Sequence, residues 1–267
     1  MVPTGAEVLL ATRLPFLTLQ QRRDVLATTE LPSGGPLDNG SGWSRLDLYK
    51  AASGYGAFNS DLTITQDATQ GGFNAANTFD NDITGTGKLT KQDTGTLVLA
   101  GNNSFTGGTE VDGGVLDALT GSALGTGAAS LRGGTLRDGA ALLTLGGLSL
   151  DGTSTLQFDL SSAACSRELW LTGLGSLAGR LSLSFADSLH ACGSESITID
   201  ASSAIAGDFS EIGVLGLQDG SYRESVVRSA NGLVVTISDV PEPASFALVA
   251  AGLAAAGLVC RRKASMA

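Results

Sequence analysis

From Asp61 onward, apolar and polar residues alternate in short runs separated by turn residues. Leu62-Thr63-Ile64-Thr65 sets the pattern with a period of two, which a half-buried strand requires because successive side chains point to opposite faces. Between Lys88 and Thr236 such runs return at near-regular intervals: Leu97-Val98-Leu99, Thr109-Glu110-Val111, Val115-Leu116, Ser130-Leu131, Thr135-Leu136, Leu142–Leu145, Leu148-Ser149-Leu150 and Thr155-Leu156-Gln157-Phe158. Almost all are short, and Gly-Gly, Asn-Asn and Asp-Gly pairs join them. Runs this short suit a solenoid that bends at each corner better than a sandwich with longer strands. The expected fold is mainly β: a right-handed parallel β-helix over residues 61–239, each coil burying its inward Leu and Val against the coils above and below. Four later runs, 181–185, 196–199, Tyr222–Arg228 and 233–237, are longer and carry fewer glycines. They continue the solenoid or close it as a cap.

Residues 1–60 read differently. Thr18-Leu19-Gln20-Gln21 has the form of a capping box, a hydroxyl followed three residues later by an amide side chain, and predicts a helix over Leu19–Thr28. Leu19, Val25 and Leu26 form its apolar stripe, with Gln21, Arg22, Arg23 and Asp24 toward water. Gly34-Gly35-Pro36 turns the chain, and residues 43–52 predict a second short helix. Neither helix is long enough to stand alone.

The C-terminal end, residues 240–267, has a third character. Residues 244–260 carry no charge and are rich in Ala, Leu, Val and Gly. At about 1.5 Å per residue a helix there reaches roughly 26 Å, close enough to a ~30 Å hydrocarbon core to span it with modest thinning. Arg261, Arg262 and Lys263 follow directly and belong on the cytoplasmic side, leaving the β-region across the membrane.

Composition narrows the function. Thirty-seven glycines against 6 prolines, with 42% hydrophobic residues, exclude a disordered chain and fit many short strands. A net charge of -10 excludes nucleic acid as a partner, because phosphate binding needs a basic surplus. Of the three cysteines, Cys260 lies in the apolar tail, so Cys165 and Cys192 are either a disulfide or two separate buried thiols. Metal ligation is not expected, since no second Cys or His stands at ligand spacing. No cofactor is expected either.

Catalytic constellations are missing as well. His190 is the one histidine and Gly-x-Ser-x-Gly is absent, so a nucleophile–base pair has nothing to build on. Asp80-Asn81-Asp82 on a glycine-rich loop reads as a turn before it reads as a calcium or carboxylate site. Gly85-Thr86-Gly87 lacks the Lys-Ser/Thr of a phosphate loop. The chain is expected not to be an enzyme.

Three resemblances add to this. Gly87-Lys88-Leu89-Thr90-Lys91, then Gly95-Thr96-Leu97-Val98-Leu99-Ala100-Gly101-Asn102-Asn103-Ser104-Phe105-Thr106-Gly107-Gly108-Thr109 and Val111-Asp112-Gly113-Gly114-Val115-Leu116 resemble the autotransporter-associated β-strand repeat, over residues 85–116. That family usually has Gly where Asp93 stands and Thr near Glu110. The resemblance implies a surface β-helix coil, in which Asn102 and Asn103 sit at a corner and bond turn backbone or stack on equivalent residues. Pro241, Glu242 and Pro243, followed by the apolar segment and the basic end, are similar to the PEP-CTERM sorting signal of Gram-negative bacteria. This implies recognition by an exosortase-type membrane protease, cleavage near the motif, and delivery to the envelope or extracellular matrix; before processing the C-terminal helix holds the chain in the inner membrane. Finally, Leu14-Pro15-Phe16, Leu31-Pro32-Ser33-Gly34-Gly35, residues 42–52 and Gly54-Tyr55-Gly56 resemble the end of a secreted acid phosphatase of the type 2 phosphatidic acid phosphatase superfamily, without its histidines.

Residues 1–17 have no basic start followed by an apolar stretch, so the chain is expected to be the display end of a longer secreted protein. Two functions follow: an exported structural or adhesive solenoid, with extracellular polysaccharide as a candidate partner, or the C-terminal part of a secreted phosphatase whose catalytic domain lies upstream.

Overall fold

The computed structural model describes residues 4–30, 46–160, 165–185, 193–218 and 220–240, and structural statements below refer to these. The protein is mainly β, with three large sheets and one two-stranded parallel sheet, Ala57–Phe58 with Thr84–Gly85, among the described residues. Sheet I stacks Leu62–Thr65, Leu89–Gln92, Thr109–Val111, Ala128–Leu131, Gly147–Leu150, Gly175–Leu177 and Ile205–Gly207; sheet II stacks Ala76–Phe79, Thr96–Leu99, Val115–Ala118, Thr135–Asp138, Thr155–Asp159, Arg180–Ser184 and Glu211–Leu215. All neighbours within these two sheets are parallel. The chain visits sheet I, then sheet II, then a third side, and returns one rung further on, which is the winding of a β-helix.

The third side begins with the short parallel pair Ala57–Phe58 and Thr84–Gly85 and continues as bonds between successive corners, Ser104 N–H to Ile83 O (2.8 Å) and Thr126 N–H to Phe105 O (3.0 Å). It widens into sheet III through Leu142–Leu145, Ser166–Leu171 and Ser194–Ala201. In the middle of the solenoid Leu89 faces Thr109 and Thr109 faces Ala129, a coil of twenty residues. Equivalent side chains therefore stand one above another at the strand spacing of about 4.8 Å. On sheet II, Leu97, Leu116, Leu136, Leu156 and Leu181 form one fully buried column.

Both ends of the stack are closed by non-solenoid structure. At the start lie helices α1 (Thr4–Arg13) and α2 (Leu19–Thr28), followed by the single-turn helix α3 (Leu48–Ala52). The capping box at Thr18 and Gln21 is formed, and Leu10, Leu14, Leu17, Val25 and Leu26 are buried over the first coil. The rings of Phe16 and Phe79 stack at 6.4 Å, and Tyr55 meets Phe58 at 5.5 Å. Asn77 occupies the position where the next coil has Leu97, and its amide exchanges bonds with the Arg13 side chain and carbonyl (2.8 and 3.0 Å). A polar residue is tolerated inward because the cap satisfies it.

Several expectations for this region need correction. Helix α1 was not anticipated: Ala6, Leu10 and Leu14 are spaced for a helix, but exposed Val8 and Leu9 blur the stripe. In α2, Leu19 is exposed rather than part of the apolar face, and Gln21 turns from water to donate to Thr63 O at 2.7 Å. The second predicted helix starts only at Leu48, because Asp47 caps it by accepting the Lys50 N–H (2.9 Å); residues 43–45 lie outside the described residues.

At the far end, Gly232–Asp239 runs antiparallel to Ser194–Ala201, and Tyr222–Arg228 runs antiparallel to Gly232–Asp239. The hairpin turns back, and Arg228 reaches under the last coil to donate to the carbonyls of Ile205 and Gly207 and to Asp208. Of the two expected roles for the late strands, 180–184 and 194–201 continue the coil and the hairpin closes it. Among the described residues no helix is long and apolar enough to cross a membrane; residues 244–260 lie outside them.

Truncating the central column tests the stacking. Leu136→Ala is expected to cost about 2–5 kcal/mol in urea unfolding, whereas Thr135→Ala, one residue earlier on the outward face, shifts stability by less than about 0.5 kcal/mol.

Candidate functional site

The repeat segment forms one coil and the beginning of the next, and its corner is where the polar sequence does structural work. Asn103 is buried, with its Oδ1 accepting from Ile83 N–H at 2.7 Å and its Nδ2 donating to Ala123 O at 2.5 Å. Each partner lies twenty residues away, so one amide ties three successive coils. Asn102 faces solvent and contributes only its backbone N–H, to Asp82 at 2.7 Å. Beside Asn103 the Phe105 ring meets Phe58 edge-on at 5.0 Å. Gly125, at φ 67°, passes so close that a Cβ would fall 2.2 Å from the Phe105 carbonyl oxygen.

Asp80, Asn81 and Asp82 are tied into the same corner. Asn81 Nδ2 donates to Lys50 O and Gly54 O (2.8 and 2.9 Å), and Asp82 takes the Asn102 N–H. Among the described residues no group of three or more His, Cys, Asp or Glu is placed to hold a metal ion.

On the outer face of sheet I, Glu110 bridges Lys88 at 2.5 Å and Arg132 at 2.8 Å, one coil to each side. The hydrogen bond from Lys88 is the main cause holding the Glu110 carboxyl below the usual range. The Glu at this divergent repeat position thus sits between two cations. The second divergence, Asp93, has φ 66°, and among the described residues it is the one non-glycine residue in the left-handed region. That is the conformation glycine favours, which accounts for the usual Gly of the repeat.

None of the buried charged residues Lys91, Asp117, Asp138, Arg167 and Glu195 was anticipated; Lys91 and Asp138 are the two with no exposure at all. Lys91 faces inward in the column of Ile64, Val111 and Leu131, and its Nζ donates to the carbonyls of Gln92 (2.8 Å) and Asp93 (3.2 Å). Burial pushes its ammonium down to about 8, and the Asp93 charge partly offsets this. Asp138 stands between Ala118 and Phe158 in a sheet II column, with Oδ1 accepting from Ala140 N–H (2.9 Å) and Oδ2 unbonded. Burial pushes its carboxyl up to about 7, against the pull of the Ala140 bond and the Arg167 guanidinium. The signal was present: Lys91 follows Leu89 by two residues and Asp138 follows Leu136 by two, so strand alternation turns both inward.

Of the other sequence-derived site residues, Cys165 is disulfide-bonded. Cys192, His190, Pro241, Glu242, Pro243, Arg261, Arg262 and Lys263 lie outside the described residues.

Stacked parallel coils, three of them tied at one corner by the Asn103 amide, make this a β-repeat protein. The comparisons agree and are more particular. A family model described as a passenger-associated-transport-repeat matches residues 89–118, and the PEP-CTERM protein-sorting motif matches residues 239–263. The chain is 38% identical over 117 residues to the Neisserial autotransporter lipoprotein NalP of Neisseria meningitidis serogroup B, which covers 43% of this chain and 10% of that protein. It is 47% identical over 57 residues to the adhesin BmaC autotransporter of Brucella suis biovar 1, covering 21% of the chain and 2% of the adhesin. To the extracellular serine protease of Serratia marcescens it is 31% identical over 151 residues, 45% of the chain and 14% of the protease. The chain thus spans about a tenth of the length of the first of these relatives.

The chain carries an autotransporter-type repeat and a sorting motif that implies handling by exosortase, a membrane protease, and it is a secreted or cell-envelope β-repeat protein. The resemblance of the N-terminal segment to an acid phosphatase gains no support from these matches, and neither family match includes residues 1–60. What α1 and α2 do in the fold is cap the solenoid.

Asn103→Ala orphans a buried N–H and a buried C=O, so it is expected to destabilise by roughly 2–4 kcal/mol, against less than about 0.5 kcal/mol for Asn102→Ala. For Asp138, the folded pKa of about 7 lies above the unfolded one, so the proton is held more tightly in the native state. Its contribution to stability is complete below about pH 4 and is lost as the pH rises through 7. Asp138→Asn removes that loss, and urea unfolding of the variant should gain on the parent between pH 4.5 and 8 by on the order of 3 kcal/mol. Parallel pH profiles would contradict this.

Proposed function

We propose that the chain is a non-catalytic display module: a right-handed β-solenoid exported across the inner membrane, held there by an apolar helix at 244–260 with Arg261, Arg262 and Lys263 in the cytoplasm, and released by exosortase cutting near Pro241-Glu242-Pro243. The mature solenoid then serves a structural or adhesive role in the envelope or matrix, with extracellular polysaccharide as its candidate partner. The observation that carries this reading is the junction of the two matched segments, a stacked passenger-type coil and a sorting motif directly after the closing hairpin. Right-handed winding follows the strong preference of parallel strand crossovers for that hand. The charged side chains of the repeat coil support a structural role, since Lys88, Glu110, Arg132 and Lys91 are engaged with one another or with corner carbonyls. The disulfide at Cys165, with Cys192 as its proposed partner, fits an oxidising destination.

Expression behind a secretion signal in an exosortase-positive Gram-negative host and in its exosortase-null derivative tests the reading. A shortened chain is expected in the envelope or medium of the first, and the uncut chain in the membrane fraction of the second. Glu242→Ala should behave in the positive host like the null strain. Identical chain length in both strains would overturn the processing step, and hydrolysis of casein or of a phosphomonoester by the purified chain would overturn the non-catalytic one. Cosedimentation with the host's exopolysaccharide checks the adhesive role.

A further inference from the structure

Among the described residues the closing hairpin leaves the edge of its outer strand without a partner strand. Tyr222–Arg228 is the outer strand of sheet III, seven residues long, without proline or glycine, and six of its seven residues are exposed. The last strands of sheets I and II, at the same end of the stack, are blunted. The sheet I edge at Ile205–Gly207 is covered by the Arg228 side chain, and the last strand of sheet II is interrupted by Gly213, over which the Arg180 side chain lies. Long open edges present unpaired N–H and C=O groups and pair with other strands unless they are protected.

Which groups are open follows from the ladder. Ser229 N–H donates to Gly232 O at 2.8 Å and Val240 N–H donates to Ser221 O at 3.2 Å. In an antiparallel pair, bonded and non-bonded residues alternate, so the odd-numbered residues 221–229 bond the inner strand. Tyr222, Glu224, Val226 and Arg228 therefore direct their backbone groups outward.

We infer that this edge pairs with the same edge of a second copy of the chain, antiparallel about a two-fold axis through Val226. In that register Val226 faces Val226 of the second copy, and Glu224 faces Arg228 of the second copy on both sides of the axis. Centring on Glu224 instead puts two like charges opposite each other, which is destabilising, and centring on Ser225 puts Glu224 opposite Val226 with no ion pair. Arg228 keeps its bonds to Ile205, Gly207 and Asp208, because three of its five donors serve them. The partly exposed Val226 (46%) and Val227 (63%) then gain a cross-strand neighbour. The self-complementary contact is the isologous kind that closes at two copies rather than growing into a filament.

Sedimentation of the full chain in a nonionic detergent, from low to high micromolar concentration, tests the pairing. A monomer–dimer equilibrium is expected. Val226→Pro removes one outward N–H without touching the inner ladder, and should abolish the dimer while leaving thermal unfolding unchanged at the low concentration where the parent is monomeric. Glu224→Arg should weaken association roughly tenfold by setting Arg opposite Arg. Amide exchange at Glu224, Val226 and Arg228 should slow as concentration rises, whereas exchange at Arg223, Ser225 and Val227 stays constant. A chain that remains monomeric throughout, or a Val226→Pro variant that dimerises like the parent through its apolar tail or another edge, would overturn the inference.

Discussion

A single coil of this protein has an inward face of Leu, Val and Phe and nothing of its own with which to cover it. Cover comes only from the coils on either side, so everything depends on like positions falling over like. The twenty-residue interval from Leu89 to Thr109 to Ala129 supplies that alignment. Its corners are made to the same measure, since Asn103 spans equal intervals in both directions. Burial then becomes additive along the axis, as in other stacked-repeat proteins, with each rung stabilised by its neighbours.

The same constraint explains where polar groups are tolerated inside. An amide at a corner meets two backbone groups that the turn leaves unpaired, and Asn103 satisfies both. A charge within a strand meets only side chains of the adjacent rungs. Lys91 escapes by carrying its head along four methylenes to the corner carbonyls. Asp138 has no such reach, and one of its oxygens stays unbonded between Ala118 and Phe158. The two residues occupy equivalent kinds of position and differ in side-chain length, which decides how well each is accommodated.

Much of the architecture was legible in the sequence because alternation and turn residues are local signals. The runs at 97–99, 115–116, 135–136 and 155–158 correspond to successive rungs of one sheet, and the capping box at Thr18 to Gln21 is formed. What escaped notice is non-local. Helix α1 is recognisable only once α2 and α3 are in place to bury its apolar face in the common core. The inward Asn77 makes sense only with Arg13 folded over it, 64 residues distant. Lys91 and Asp138 obeyed the strand period, but polarity masked it. The antiparallel return of Gly232–Asp239 carries no mark that separates it from another rung.

The unlike ends of the stack have a further consequence. One end wears helices and the other an arginine-clamped hairpin, while the middle rungs between them repeat at a twenty-residue interval from Leu89 to Thr109 to Ala129. Adding or deleting a twenty-residue unit in the middle changes the height of the rod by about 4.8 Å and leaves both terminal structures intact. The caps therefore make length a free variable of this molecule, adjustable by duplication in steps of one rung, so the separation of its two terminal structures can be reset without redesigning either end.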